Sequence, residues 1–150
     1  MANAFQFEFE KLVVYQEARA FRSRIYKLSR LLPRWEFKLR AQMCDAGRSL
    51  TNCISEGHGR YTFKDRIHFC RESRGSLLEL IDDISICDGE AYAKHEHLGD
   101  LRSDAAKLLK RLNGYIKYLD TEGKKVLAVK KSSRVPKLLI KKQNIPINNY

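Results

Sequence analysis

The sequence predicts an all-α protein: an antiparallel, up-down-up-down four-helix bundle over residues 1–123, followed by a basic C-terminal tail over 124–150. Three observations lead there. Apolar residues recur at alternating steps of three and four in four separate segments, the spacing that lines one face of a helix. The links between those segments are short, which forces successive helices to run antiparallel. No stretch of useful length alternates with period two; Val126–Val129 and Leu138–Ile140 look strand-like, but each is short and lacks an evident partner.

The first segment carries Val14, Ala18, Phe21, Ile25, Leu28 and Leu32 and is expected to stop at Pro33, which removes a backbone donor and disfavours helix at the residue before it. The second carries Leu39, Met43, Ala46, Leu50 and Cys53, with Ile54 alongside, and is expected to end at Gly57. Glu56-Gly57-His58-Gly59-Arg60 then forms a short basic turn, because glycine is unfavourable in a helix interior by about 1 kcal/mol. Thr62 offers its hydroxyl to the next helix, with Asp65 three residues on, a weak form of the capping box. The third segment shows Phe63, Ile67, Cys70, Leu77, Ile81 and Ile84, interrupted by Arg74, with Gly89 at the expected C-terminal cap. The fourth shows Leu98, Leu101, Ala105, Leu108, Leu112, Tyr115 and Leu119, with Gly123 as its expected end. Helices of about 20 to 27 residues would be roughly 30 to 40 Å long. Ser73, Gly75 and Ser76 lack bulk, so another helix can come close there, inside the bundle or across a subunit interface. Val13, Phe69, Leu80, Leu109 and Ile116 fall off the core stripes, and a second apolar face of that kind predicts a homo-oligomer.

Composition narrows the functional classes. Apolar residues make up 43% of 150, enough for one folded domain. No apolar run approaches the roughly 20 residues of a membrane span, and residues 1–5 do not read as a secretory signal, so a soluble cytoplasmic protein is expected. The net charge is +11, and it is uneven. Eight basic and no acidic residues fall in 124–150, while residues 1–123 hold the other 21 basic residues and all 18 acidic ones, a net of +3. A cationic segment on a nearly balanced domain attracts polyanions, most often nucleic acid.

Catalysis and metal binding find little support. Cys44, Cys53, Cys70 and Cys87 form no C-x-x-C pair, lack histidines at zinc spacing and fall inside expected helices, where free thiols pack as small hydrophobes. Glu56, His58 and Arg60 share a solvent-facing turn that offers no pocket; Glu56 is expected to pair with Arg60 and fix the hairpin. Gly57-x-Gly59 lacks the preceding strand, third glycine and following Lys-Ser/Thr of a phosphate loop. His95 and His97 are expected to be solvated loop residues. No catalytic residue, cofactor or metal ligand is therefore expected.

The ordered motifs resemble the four-helix-bundle family of proteins encoded within intervening sequences of bacterial 23S ribosomal RNA genes. The likeness runs from about Phe9 to Leu119. It rests on Phe9-Glu10-Lys11-Leu12, Tyr15-Gln16 and Ala18, then Ile25-Tyr26, Pro33, Glu36, Gln42, Ala46 and Ser49. Glu56-Gly57 with Gly59-Arg60 is similar to the family's central EG-x-x-R turn, and Phe69, Gly75-Ser76-Leu77 and Glu79-Leu80 to its GSL-x-EL signature. Where the family often has two basic residues this chain has Cys44-Asp45, and where it often has asparagine this chain has Cys53. The resemblance implies a left-handed antiparallel four-helix bundle and relatives that assemble as ring-like homopentamers. A related branch, the accessory variability determinants of diversity-generating retroelements, forms basic pentamers that bind nucleic acid and partner a reverse transcriptase. The tail after Gly123 lies outside the common pattern.

Together these readings predict a non-enzymatic, oligomeric accessory protein that binds nucleic acid, RNA in preference to DNA, by shape and charge. The expected contacts are Arg19, Arg22 and Arg30 beside Tyr26 on the first helix, then Arg34, Lys38, Arg40 and Arg48, then Arg60, Lys64 and Arg66 (with Arg71) around the hairpin. Lys124, Lys125, Lys130, Lys131, Arg134, Lys137, Lys141 and Lys142 supply the tail, which is flexible or ordered by a partner in this reading. Weak phosphate contacts multiply around a ring. Aromatic stacking platforms and recognised RNA modules are not evident. The alternative is a protein-interaction scaffold, or an accessory subunit of a reverse transcriptase or a ribosome-associated complex.

Overall fold

Four long helices account for most of residues 5–132, the part of the chain that the computed structural model describes. They are α1 (Val13–Ser29), α2 (Phe37–His58), α3 (Phe63–Gly89) and α4 (His95–Ser132), preceded by a 3-10 turn at Glu8–Lys11. There is no strand among the described residues, and Val126–Val129 is helical. Cross-helix pairs fix the directions. Arg22 meets Thr51 and Ser29 meets Cys44, so α1 and α2 are antiparallel. Leu50 meets Ser73 and Gln42 meets Asp83, so α2 and α3 are too. Ser85 meets Arg102 and Phe63 meets Gly123, and the same holds for α3 and α4. Glu17 meets Arg111 and Arg24 meets Asp104, closing α4 onto α1.

The apolar stripes meet in one core. All six residues expected on α1 are buried, as are Leu39, Met43, Ala46, Leu50 and Ile54 of α2 and Leu98, Leu101, Ala105, Leu108, Leu112 and Leu119 of α4. Each fully buried leucine or isoleucine contributes about 1.5–3 kcal/mol. Helix α3 differs from expectation. It buries the stripe Cys70, Leu77 and Ile84, and beside it a second one: Ser73, Ser76, Leu80, Asp83 and Cys87. Leu80, assigned above to an outer face, is fully buried. Phe69, Leu109 and Ile116 are half-buried, leaving Val13 at 53% exposure as the one clearly outward residue of that group. The small residues let α3 lie against α2: the Ser73 hydroxyl donates to the Leu50 carbonyl at 2.7 Å and the Ser76 hydroxyl to Ser49 Oγ at 2.9 Å. Gly75 faces open space.

Helix ends also depart from expectation. α1 stops at Ser29, ahead of Pro33, because the Arg40 guanidinium donates to the carbonyls of Ser29 (3.0 Å), Leu32 (2.6 Å) and Pro33 (3.1 Å) and turns the chain there. α2 continues through Gly57 to His58. Gly57 is required for space: a Cβ there would stand 2.9 Å from the Phe69 Cβ. Thr62 caps α3 as expected, accepting from the Asp65 amide at 3.0 Å. At the far end of α3 the left-handed residue is Ala91 (φ 54°), and Gly89 stays helical. The Tyr92 amide reaches the Cys87 carbonyl at 2.9 Å and the Ala91 amide the Asp88 carbonyl at 3.1 Å, a Schellman motif with alanine at its strained position. His95 and His97, expected in a loop, lie in the first turn of α4. Gly123 does not close α4, which runs nine residues further, to Ser132. There too the glycine makes room, since a Cβ would stand 3.0 Å from the Phe63 Cβ.

Candidate nucleic-acid interface

The basic residues expected to touch nucleic acid divide into three groups. Around the α1–α2 turn, Arg30, Arg34 and Lys38 are exposed, and their side chains make no hydrogen bond or ion pair among the described residues. Arg40, in the same turn, is committed to the three carbonyls above and holds the backbone. On the outer face of α1 and α2, Arg19 is exposed, Arg22 donates to Thr51 Oγ1 at 2.7 Å, and Arg48 pairs with Asp45 at 3.1 Å. Asp45 thus offsets Arg48.

The third group gathers where α2 ends, α3 begins and α4 passes. Arg60 pairs with Glu56, as the sequence suggested, and its guanidinium lies over the Phe69 ring, 4.6 Å from the centroid. Arg66 donates to the Arg60 carbonyl at 2.7 Å and covers the Phe63 ring. Both arginines therefore fasten the turn while keeping one edge toward solvent. Lys64 is exposed and unpartnered among the described residues. A shallow groove of about 350 Å³ runs between α3 and α4, lined by Phe63, Ile67 and Leu127 together with Lys64, Arg71 and Lys124.

Beyond Gly123 the helical overhang of α4 carries Lys124, Lys125, Lys130 and Lys131, all exposed. Lys124 pairs with Asp120 at 2.6 Å and Lys125 with Glu122 at 2.7 Å. The residues expected to be a loose segment are, as far as Ser132, a continuation of α4. Arg134, Lys137, Lys141 and Lys142 lie outside the described residues. The first and third groups stand at opposite ends of α2, whose 22 residues span about 33 Å, so they do not converge on one patch.

Several features escaped the sequence reading. Leu31, Trp35 and Phe37 are exposed at the α1–α2 turn, among the three unpartnered cations. Val126, Leu127 and Val129 are exposed on the overhang. Asp83 is fully buried, with Oδ1 accepting from Gln42 Nε2 at 3.1 Å and Oδ2 unpartnered. Burial first, then the charges of Asp82 and Glu79, push its carboxyl up to about 6. The only sequence signal for it was its place on the second α3 stripe. Burial likewise raises the Cys70 and Cys87 thiols to about 11, which keeps them protonated and poorly nucleophilic. No group of three metal-ligating side chains occurs among the described residues, and none of the described helices is long and apolar enough to cross a membrane.

Between α1 and α4 runs a larger groove of about 870 Å³, floored by Phe21, Leu108 and Tyr115. It is spanned by the Arg24–Asp104 pair and by a two-pronged Arg111–Glu17 pair at 3.0–3.2 Å. Those charges satisfy each other.

The sequence profile of the family described as 23S rRNA-intervening sequence protein matches residues 10–114. No curated protein matches the chain. Among solved structures, the chain is similar to a protein of unknown function from the S23 ribosomal protein family of Bacteroides thetaiotaomicron VPI-5482. The TM-score is 0.66 at 22% identity, over 70% of this chain and 99% of that one.

Proposed function

The chain belongs to the 23S rRNA-intervening sequence protein family, and from that premise we propose that it is a non-enzymatic, oligomeric nucleic-acid-binding accessory protein that prefers RNA. The observation that carries this reading is the α4 overhang, where a helix leaves the bundle and presents Lys124, Lys125, Lys130 and Lys131 to solvent. Lys124 and Lys131, seven residues and two turns apart, share one face of that helix, while Lys125 and Lys130 face other ways, so the overhang presents positive charge around its circumference. Each contact releases condensed counterions, so binding weakens with salt in proportion to the phosphates neutralised. The unpartnered Arg30, Arg34, Lys38 and Lys64 add sites at the two ends of the bundle. In a homopentamer these weak contacts combine by avidity.

A salt titration tests the reading. RNA affinity should fall steeply with ionic strength, and removing residues 124–150 should flatten the slope. Salt-independent binding, or none, argues against it. Light scattering should give several times the 17.5 kDa chain mass; a monomeric mass removes the avidity argument. A second reading, a protein scaffold serving a reverse transcriptase or a ribosome-associated complex, is favoured by the exposed Val126, Leu127 and Val129 beside those lysines. It predicts capture of a protein partner that persists in high salt.

A further inference from the structure

We propose that the α1–α2 turn is a stacking subsite for unpaired nucleic-acid bases, with Trp35 and Phe37 as the platform and Arg30, Arg34 and Lys38 holding the flanking phosphates. This rests on the nucleic-acid reading and specifies its ligand as single-stranded. Trp35 is 67% exposed and Phe37 61%, although large rings usually find cover. Their setting argues for a polyanion that carries aromatic faces. Arg34 adjoins Trp35 in the chain and Lys38 adjoins Phe37; with Arg30 they bring three positive charges that no acid among the described residues neutralises. The acid within the platform, Glu36, accepts from the Tyr92 hydroxyl at 3.2 Å. Tyr92 also meets the Trp35 ring edge-to-face, with centroids 5.9 Å apart, which steadies the indole.

The platform is rigid for a turn. Arg40 binds three of its carbonyls, Pro33 fixes one φ angle, and the Glu36 amide donates back to the Pro33 carbonyl at 3.0 Å. A preformed surface loses little freedom on binding. Rings beside unpaired cations are what single-strand binders use, because every base has a π-face while duplex bases are already stacked. Sequence spacing alone hid this, since neither ring belongs to one of the four apolar stripes.

Trp35 is the only tryptophan, so its emission reports the site directly. The experiment titrates the full chain with a fluorescein-labelled 12-nucleotide oligo(U) and with a blunt RNA duplex of equal length, reading tryptophan emission and fluorescein anisotropy together. The expected result is quenching by oligo(U) that saturates with the anisotropy, and none by the duplex. Trp35→Ala and Phe37→Ala should each weaken oligo(U) binding about five- to a hundredfold with little change in salt slope. Arg34→Gln should lower the slope. Circular dichroism confirms that each variant is folded, and Phe37→Ala stands in should Trp35→Ala fail to fold. Oligo(U) binding without quenching, and unaffected by both ring variants, overturns the stacking subsite while leaving the nucleic-acid reading in place; no binding of either RNA overturns both. Emission that shifts with protein concentration alone overturns it in favour of a second copy covering the platform.

Discussion

Gly57 and Phe69 touch where α2 crosses α3, so closely that a Cβ on the glycine would stand 2.9 Å from the Phe69 Cβ and 3.4 Å from the Arg66 carbonyl oxygen. Alanine normally stabilises a helix position by about 1 kcal/mol over glycine. Here the clash forces two helices apart, and Gly57→Ala is expected to cost about 1–3 kcal/mol in urea unfolding. Gly75→Ala, which meets nothing within 4 Å, should instead stabilise by about 0.5–1 kcal/mol. Equal effects at both positions would contradict the packing described.

Asp83 makes stability depend on pH. Its carboxyl titrates at about 6 in the fold, against 3.8 for the free group, chiefly because of burial. The unfolded chain therefore gives up this proton at lower pH than the native one. The cost is absent below about pH 4, grows as pH rises through 6, and is complete above that, on the order of 3 kcal/mol. Asp83→Asn is expected to raise the melting temperature at pH 7.5 and to change it little at pH 4. A gain that is the same at both values would refute the assignment.

Ala91 holds a conformation suited to glycine, with φ at 54°. An alanine in that region is strained by roughly 1 kcal/mol. Ala91→Gly should raise the unfolding free energy by about that amount, because the two hydrogen bonds of the motif need only backbone atoms. Calorimetry showing a loss would mean that the alanine methyl contributes more than the strain costs.

Arg40 and Arg34 look interchangeable by charge, yet their settings separate them. Arg40→Ala removes the side-chain donor from the Ser29 and Leu32 carbonyls and leaves Pro33 with the Glu36 amide alone, and should cost about 1–3 kcal/mol of stability. Arg34→Ala should leave stability within about 0.5 kcal/mol and lessen the dependence of RNA binding on salt. Thermal melts paired with a salt titration distinguish the two outcomes.

Much of the fold was legible in the sequence. The stripes on α1, α2 and α4 were visible because nearly all their buried residues are apolar. On α3 the second stripe was hidden by its chemistry: Ser73, Ser76 and Asp83 are buried, and no hydrophobicity pattern marks them. Helix ends were misplaced at Gly57 and Gly123 because propensity alone favours a stop there. The facing Phe69 and Phe63 make glycine a requirement of packing instead. Cations could be counted but not assigned. Arg22, Arg40 and Arg66 bond to a threonine hydroxyl and to backbone carbonyls, partners that side-chain spacing does not reveal.

Past its contact with Phe63, α4 is a cantilever. Its four lysines are fixed to one rod and take their directions from the place where that rod last rests on the bundle. At the root of that lever stands Gly123, an uncharged residue. A side chain added there would tilt the beam against the bundle and re-aim every cation it carries, without removing a single charge.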